Sequence, residues 1–280
     1  MLSIVTKNTL QNFDLKKQVC LITGGAGFLG LKHAEALLDG NGRVVLLDVN
    51  DERLSDAVSK LKRAYPRRIW GYQLDITNEN LVKKTVNKIE REIGPISVLI
   101  NNAANNPQVG QGQKDFSRLE NFPIEVWQKD FDVGVTGAFL MSKYAGSLMA
   151  KRGKGVILNI SSDLGVIAPD QRLYRKEGLK SHQQPVKPVT YSVTKHALIG
   201  LTKYLATYWA ESGIRVNSIS PGGVYRNTPE EFVQKLAKLI PLGRMATQDE
   251  YKAAILFLCS DASSYMTGAN LIMDGGRTVW

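Results

Sequence analysis

The segment Thr23-Gly24-Gly25-Ala26-Gly27-Phe28-Leu29-Gly30 decides how this chain folds. It follows the β-branched run Val19 to Thr23, which predicts a buried strand, and it precedes the apolar helical pattern of Phe28 to Leu38. Three of its glycines have the G-x-G-x-x-G spacing of a phosphate-binding turn between a strand and a helix. Glycine allows the tight turn, and the N–H groups at the helix start stabilise negative charge. An ordinary glycine turn is the alternative interpretation.

Outward from this segment, short β-branched runs alternate with longer amphipathic stretches. The alternation predicts a doubly wound, Rossmann-like α/β fold, with a seven-stranded parallel sheet and helices on both faces. The predicted strands are Val19 to Thr23, Val44 to Leu47, Trp70 to Leu74, Val98 to Ile100, Val156 to Ile160, Val216 to Ile219 and Ala269 to Met273. The predicted helices are Phe28 to Leu38, Glu52 to Tyr65, Glu79 to Glu92, Pro123 to Arg152, Tyr191 to Ser212 and Gln248 to Cys259.

Length and composition favour one domain over residues 1–280, because a chain of this size with 43% hydrophobic residues can bury one large core. There is no apolar run long enough to span a membrane, and Met1 to Gln18 contains no signal-peptide core. We therefore expect a cytoplasmic protein without a membrane partner. Cys20 and Cys259 lack metal-ligand spacing, so we expect no metal site and two small buried hydrophobic side chains.

The chain is basic, with 36 Lys and Arg against 26 Asp and Glu and a formal charge of +10. The only tight basic cluster lies at the end of a predicted helix. A solvated helix face explains such a cluster better than a nucleic-acid contact, so we expect no nucleic-acid partner. The excess charge also suits an anionic small substrate. The cluster consists of Lys60, Lys62, Arg63, Arg67 and Arg68.

Asp48 ends the second predicted strand, downstream of the glycine turn. In a dinucleotide site of this kind, a carboxylate at that position accepts hydrogen bonds from the adenosine ribose hydroxyls and repels a 2′-phosphate. Asp48 therefore favours NAD over NADP. A strand-end Asp that only forms a turn is the alternative.

Further motifs follow in a fixed order: Asp75, Asn101-Asn102-Ala103-Ala104, Asn159-Ile160-Ser161-Ser162, Tyr191-x-x-x-Lys195 and Pro221-Gly222-Gly223. Together with the glycine turn, they resemble the short-chain dehydrogenase/reductase family from Lys17 to Gly276. The resemblance implies an NAD(P)-dependent oxidoreductase that assembles as a homodimer or homotetramer. It also implies a cofactor site formed by Gly24, Ala26, Gly27, Phe28, Leu29, Asp48, Asp75, Ile76, Asn102, Ala103, Ala104, Tyr191, Lys195, Pro221, Gly222 and Val224.

Ser162, Tyr191 and Lys195 are the predicted catalytic residues. Tyr191 and Lys195 stand at i and i+4 of one predicted helix, so their side chains share a face. A neighbouring ammonium stabilises a phenolate, so we expect a lowered pKa for Tyr191, which would exchange a proton with the substrate. Ser162 follows a strand and is predicted to donate to the substrate oxygen. Without the other motifs, the Tyr and Lys pair would predict only a solvated lysine beside a half-buried ring.

Two positions depart from the family pattern. Phe28 stands where many members have the second glycine of the turn, a spacing more typical of the extended, sugar-nucleotide branch. Gly134 aligns with the asparagine that completes the usual catalytic tetrad. Glycine has no side chain to hold a relay water, so the path of a proton from Lys195 to solvent must differ, whereas hydride transfer is unaffected.

Ser162 and Tyr191 are further apart than in typical members, which predicts an insertion within Asp163 to Val189, called the insert below. Long loops in compact domains are often lids or binding loops. Arg172, Tyr174 and Arg175 of the insert, with Ser162, are therefore the predicted substrate-binding residues, although a solvated loop is an equal alternative. The stretch Asn105 to Phe122 is a second long loop.

The preferred hypothesis is hydride transfer between NAD and a secondary alcohol or ketone, on a phosphorylated or nucleotide-linked sugar. Segments of the chain also resemble dehydrogenases of bacterial surface-glycan and flagellin-sugar biosynthesis. An NAD-binding regulatory protein without turnover and an NAD-using sugar epimerase or dehydratase are the alternatives. The resembling segments are Ser161-Ser162-Asp163-Leu164-Gly165, Tyr208-Trp209-Ala210 and Gly275-Gly276-Arg277-Thr278-Val279-Trp280.

Overall fold

The computed structural model describes residues 8–105 and 117–280. Its seven strands form one sheet in the order β3-β2-β1-β4-β5-β6-β7, and every neighbouring pair is parallel. The predicted sheet is therefore confirmed. The strands are β1 (Val19–Thr23), β2 (Arg43–Asp48), β3 (Ile69–Gln73), β4 (Ile96–Asn101), β5 (Gly155–Ile160), β6 (Ile214–Pro221) and β7 (Asn270–Met273).

Helices connect successive strands, because parallel strands need a crossover connection. Asn50 and Asn78 set two of the helix starts, because their side chains accept hydrogen bonds from the backbone N–H groups of Arg53 and Leu81. The helices are α1 (Phe28–Asp39), α2 (Asp51–Ala64), α3 (Glu79–Glu92), α4 (Ile124–Phe131), α5 (Gly137–Met141), α6 (Ser147–Lys151), α7 (Val189–Tyr208), α8 (Glu230–Ala237) and α9 (Lys252–Cys259).

The predicted helix Pro123 to Arg152 is interrupted twice. Two π-helical turns, Asp132–Thr136 and Ser142–Gly146, separate α4, α5 and α6 without ending the helical path. Such π turns frequently occur at functional sites. Helix α8 was not predicted, although Pro229 precedes it and acidic residues occupy its first turn. None of the helices in the described part of the chain is long and apolar enough to cross a membrane.

Each face of the sheet has its own hydrophobic core, because successive strand residues point to opposite faces. Residues such as Ile22 and Leu46 pack under α1, α2 and α9. On the other face, Leu21 and Val45 pack under α3, α5, α6 and α7. Cys20 and Cys259 lie in the first core and are fully buried, as predicted. Burial raises the pKa of both thiols, that of Cys259 to about 12.

The predicted motifs meet at one edge because all seven strands are parallel. Strand β1 ends directly before the glycine turn, β2 ends at Asp48, and β6 ends at Pro221. Asn102 directly follows β4, and Ser162 lies two residues after the end of β5. The strand order changes direction between β1 and β4, and ligands of open α/β sheets bind beyond the carboxyl ends of the strands at such a point. The fold thus places the cofactor and catalytic candidates side by side.

Candidate active site

One cavity of about 1030 Å³ follows the carboxyl edge of the sheet. Every residue predicted to hold the cofactor lines it, except Ala26. Ser162, Tyr191 and Lys195 line the same cavity, so the structure brings the predicted cofactor and catalytic residues together. The end near the glycine turn and Asp48 is called the cofactor end below, and the end near Ser162 and Tyr191 is called the substrate end.

The glycine turn is shaped by close backbone contacts. Gly24 has a φ of 60°, in the left-handed region, and a Cβ at this position would lie 2.9 Å from the Cα of Ala103. The Asn102 amide supports the turn by donating to the carbonyls of Thr23 at 2.9 Å and Gly24 at 3.1 Å. Helix α1 then begins at Phe28, and its first N–H groups lack partners within the helix. This arrangement fits a bound pyrophosphate.

Asp48 is fixed at the end of β2 by two backbone groups. Its carboxylate accepts hydrogen bonds from the N–H of Ala26 at 3.2 Å and from the N–H of Asn50 at 3.1 Å. Ala26 therefore acts on the cavity through Asp48, although it does not line the cavity itself. Arg53, in the first turn of α2, also lines the cavity and was not predicted.

Asp75 and the strand β4 complete the cofactor end. One oxygen of Asp75 accepts from the backbone and the hydroxyl of Thr77, at 2.9 and 2.7 Å. Beneath the cavity, Asn101 donates to Asn159 at 2.8 Å, and Asn159 donates to Thr202 of α7 at 2.8 Å. These buried bonds tie two strands to the helix that carries Tyr191 and Lys195.

The catalytic candidates lie together. Lys195 is buried, and its ammonium donates to the carbonyl of Ile160 at 2.7 Å while lying 5.8 Å from the centre of the Tyr191 ring. Ser162 is near enough to Tyr191 to lower the pKa of its phenol against the effect of burial. Burial, and then the charge of Lys187, lower the pKa of Lys195 to about 8.

The expected lowering of the Tyr191 pKa is not found. Burial raises the pKa of Tyr191, the neighbouring Ser162 opposes the rise, and the charge of Asp163 adds to it. The expectation was wrong because it weighed the neighbouring ammonium and left out desolvation, which disfavours any buried phenolate. The Lys195 ammonium donates to the carbonyl of Ile160, and this contact weakens its stabilisation of a phenolate on Tyr191.

Lys187 is the basic residue of the insert that lies nearest the reacting groups. Its ammonium lies 3.9 Å from the centre of the Tyr191 ring, and the residue lines the cavity. Burial lowers the pKa of Lys187 to about 8, although the charge of Asp163 opposes this. Lys187 belongs to the insert, but spacing alone could not distinguish it from the other basic residues there.

The three predicted substrate residues of the insert have different positions. Tyr174 lines the cavity and packs against Phe232 of α8, with ring centres 5.6 Å apart. Burial raises the pKa of Tyr174 to about 12. Arg172 is exposed and forms a forked hydrogen bond to Asp170, and neither Arg172 nor Arg175 is among the residues that line the cavity.

Asp163 and Arg277 form a buried ion pair that the sequence analysis missed. The Arg277 guanidinium lies 2.6 Å from Asp163, and both side chains are almost fully buried. Arg277 belongs to the C-terminal turn Arg277–Val279, far from Ser162 in the chain. Opposite charges in two of the quoted segments were the only signal, and it does not indicate contact.

Gly134 lies in the first π-helical turn and is buried. A Cβ at this position would lie 3.3 Å from the Cβ of Thr194, the residue before Lys195. Thr194 therefore fills the space beside Gly134. The predicted loop Asn105 to Phe122 lies largely outside the described residues, since 106–116 are not described, but Asn105 lines the cavity.

A family model described as enoyl-(acyl carrier protein) reductase matches residues 26–278. The chain belongs to the short-chain dehydrogenase/reductase family, which confirms the predicted family and oxidoreductase class. Members similar to this chain use NAD or NADP.

Two relatives and one solved structure show the extent of the similarity. The chain is 32% identical to an NAD-dependent glycerol dehydrogenase of Listeria innocua, over 96% of this chain and 97% of that protein. It is 30% identical to a D-threitol dehydrogenase of Mycolicibacterium smegmatis, over 96% and 95%. A crystal structure of a gluconate 5-dehydrogenase from Burkholderia cenocepacia J2315, in complex with NADP and tartrate, matches with a TM-score of 0.84 and 26% identity, over 98% of this chain and 100% of that chain.

Proposed function

We propose that this chain catalyses reversible hydride transfer between NAD and a secondary alcohol or ketone of a sugar or polyol. The observation that carries the proposal is the single cavity, which holds the glycine turn and Asp48 at one end and Ser162, Tyr191 and Lys195 at the other. Relatives named glycerol dehydrogenase and D-threitol dehydrogenase support alcohol chemistry of this kind.

Tyr191, Ser162 and Lys195 have separate roles in the proposed reaction. A nicotinamide bound in this cavity would supply the hydride acceptor for oxidation and the donor for reduction. In oxidation, the Tyr191 phenolate takes the hydroxyl proton as the hydride leaves the same carbon, so that the alcohol becomes a ketone. Ser162 donates a hydrogen bond to the substrate oxygen, and the Lys195 ammonium would bind the nicotinamide ribose.

The choice of NAD over NADP rests on Asp48. Two backbone N–H groups hold its carboxylate in the cavity, and the remaining lone pairs suit the ribose hydroxyls of the adenosine. A 2′-phosphate would meet a fixed like charge there. Arg53 also lines the cavity and would attract a phosphate. We give Asp48 the greater weight because backbone bonds fix it.

The substrate that we propose is anionic, such as a phosphorylated or nucleotide-linked sugar of the kind used in surface-glycan biosynthesis. The support is electrostatic. The ammonium of Lys187 lies 3.9 Å from the centre of the Tyr191 ring and lines the cavity, where a positive charge attracts an anion. The gluconate 5-dehydrogenase that matches this fold was crystallised with tartrate, which is also an anion. Tyr174 provides an aromatic wall at the same end.

A substrate screen tests the proposal. Purified protein is incubated with NAD or NADP and with glycerol, D-threitol, D-gluconate, sugar phosphates and nucleotide sugars, and reduced cofactor is measured by its absorbance. We expect NADH from NAD, with the highest kcat/KM for an anionic sugar. Conversion of a substrate without net NADH would contradict the dehydrogenase and favour an epimerase or dehydratase. Cofactor binding without turnover of any compound would favour a regulatory protein.

We further infer that the protein is a cytoplasmic homodimer or homotetramer. Aromatic side chains are exposed on α5 and on α7, where they could pack against a second copy of the chain. Phe139, Tyr204 and Tyr208 are 46%, 63% and 64% exposed, and the two tyrosine rings stack 5.8 Å apart. Both cysteines are free, as is usual in a reducing compartment. Light scattering after size-exclusion chromatography measures the oligomer, and a monomer at micromolar concentration would contradict the inference.

A further inference from the structure

The Ser162 hydroxyl has two neighbours that compete for its hydrogen. It acts on Tyr191, whose pKa it lowers against the effect of burial, and it donates to one carboxylate oxygen of Asp163 at 2.8 Å. The same Asp163 oxygen also accepts from the N–H of Leu164 at 2.8 Å. A carboxylate is a stronger acceptor than a phenol, so Asp163 determines which way the hydroxyl points before substrate binds.

Such a carboxylate is costly beside a group that must become a phenolate. A like charge disfavours the second charge, and the charge of Asp163 indeed raises the pKa of Tyr191. Arg277 offsets this cost, because its guanidinium lies 2.6 Å from the other Asp163 oxygen. Both side chains are nearly inaccessible, so water screens neither charge well.

The C-terminal turn delivers Arg277 to this position. Asp274 caps the turn by accepting from the N–H of Gly276 at 2.9 Å and from the N–H of Thr278 at 2.7 Å. Gly276 has a φ of 91°, which glycine adopts without strain. The Trp280 indole donates to the carbonyl of Leu239 at 3.2 Å and holds the far end. The guanidinium is thus anchored from both sides.

We propose that Asp163 and Arg277 are a positioning pair, in which Asp163 orients the Ser162 hydroxyl and Arg277 cancels the carboxylate charge next to Tyr191. The C-terminal turn is then part of the active site. This inference rests on the proposed roles of Ser162 and Tyr191. The charged and titratable groups around Tyr191 are Lys195 from α7, Lys187 and Tyr174 from the insert, Asp163 after β5, and Arg277 from the C-terminal turn.

If the pair acts in this way, Arg277→Met and Asp163→Asn should shift the pKa of Tyr191 in opposite directions. The pKa of Tyr191 is read without any substrate, from the carbon-13 shift of its Cζ in protein grown with labelled tyrosine, and Tyr191→Phe identifies the signal. Arg277→Met leaves the carboxylate uncompensated and raises this pKa by about one unit. Asp163→Asn leaves the guanidinium uncompensated and lowers it by a similar amount. The double variant returns close to the parent.

Arg215→Met is the control, because the Arg215 guanidinium is partly buried but bonds to Ser263 and to the carbonyls of Ser260 and Met266, away from Tyr191. It should lower the melting temperature and leave the Tyr191 titration unchanged. If Arg277→Met fails to fold, the Tyr191 pKa in Asp163→Asn alone tests the pair, because the asparagine keeps an acceptor oxygen for Ser162. Shifts of the same sign, or none in Asp163→Asn, would overturn the pair.

Turnover of the best substrate from the screen tests the orientation of Ser162. Asp163→Asn keeps an acceptor oxygen and should retain most of kcat, whereas Asp163→Ala removes it and should lower kcat about tenfold without changing NADH affinity. Equal kcat in the two variants would overturn the positioning role. If Ser162→Ala retained normal turnover while the Tyr191 shifts appeared, the proposed catalytic assignment would fail and the ion pair would stand.

Discussion

The cofactor end of the cavity is built from residues that directly follow strands, whereas the substrate end combines segments that are far apart in the chain. Gly24 and Asn102 come directly after β1 and β4, Asp48 is the last residue of β2, and their bonds link neighbouring strand ends. At the substrate end, Lys187 comes from the insert and Arg277 from the C-terminal turn. The first end therefore depends on the sheet itself, while the second depends on how loops pack over it.

This difference suggests how changes at each end should act. Substitutions at the cofactor end should alter cofactor affinity and leave the chemistry intact. Substitutions at the substrate end should alter proton transfer or substrate affinity and leave cofactor affinity intact. A variant that changed both equally would show that the two ends do not act separately.

The largest effect is expected for Tyr191→Phe. The substitution keeps the ring and removes only the phenolic hydroxyl, so kcat should fall by about 10² to 10⁴. NADH affinity, measured by fluorescence titration, should change little. Near-normal turnover would show that Tyr191 is not the proton donor and acceptor and would break the proposed division of the cavity.

Lys187→Met should act on substrate binding. A charge-assisted contact contributes about 1.5 to 3 kcal/mol, so KM for an anionic substrate should rise by tenfold or more. Because the pKa of Lys187 is lowered to about 8, its ammonium loses its proton as pH rises through that value. In the parent, kcat/KM for the anion should therefore fall above pH 8. A neutral polyol is the control, and an equal rise in its KM would contradict the charge interpretation.

Asp48→Asn should act on cofactor choice. The amide removes the charge that repels a 2′-phosphate, so the ratio of NAD to NADP affinity should fall by about tenfold. Direct titration with both cofactors measures this ratio, while kcat with saturating NAD should stay near the parent value. Equal affinity of the parent for the two cofactors would contradict the role of Asp48.

The smallest effect is expected for Arg172→Ala combined with Arg175→Ala. Neither residue lines the cavity, and Arg172 is held by Asp170 on the surface. Exposed ion pairs contribute about 0 to 1 kcal/mol, so KM should change by no more than a few fold. This double variant is the insert's own control for Lys187→Met. A tenfold rise in KM would show that the insert closes over the substrate with these arginines.

The site residues that could be predicted from the sequence are those that lie at or just after the end of a strand. Asp48 and Ser162 each follow a buried run, and parallel strands bring such ends to one edge regardless of the loops. The position of Lys187 over the Tyr191 ring could not be predicted, because it depends on the path of the insert. The Asp163–Arg277 pair joins residues that no local pattern connects. The raised pKa of Tyr191 needed the burial of the ring, which spacing does not reveal.

The two buried cysteines allow the opening of the hydrophobic core that contains them to be measured. Cys20 on β1 and Cys259 on α9 lie in the same core, both are fully shielded, and burial disfavours their reactive thiolate form. A thiol reagent can therefore label them only when the core beneath the glycine turn opens. The labelling rate of the unmodified protein reports that opening, and ligands that bind the closed form should slow it in proportion to their occupancy.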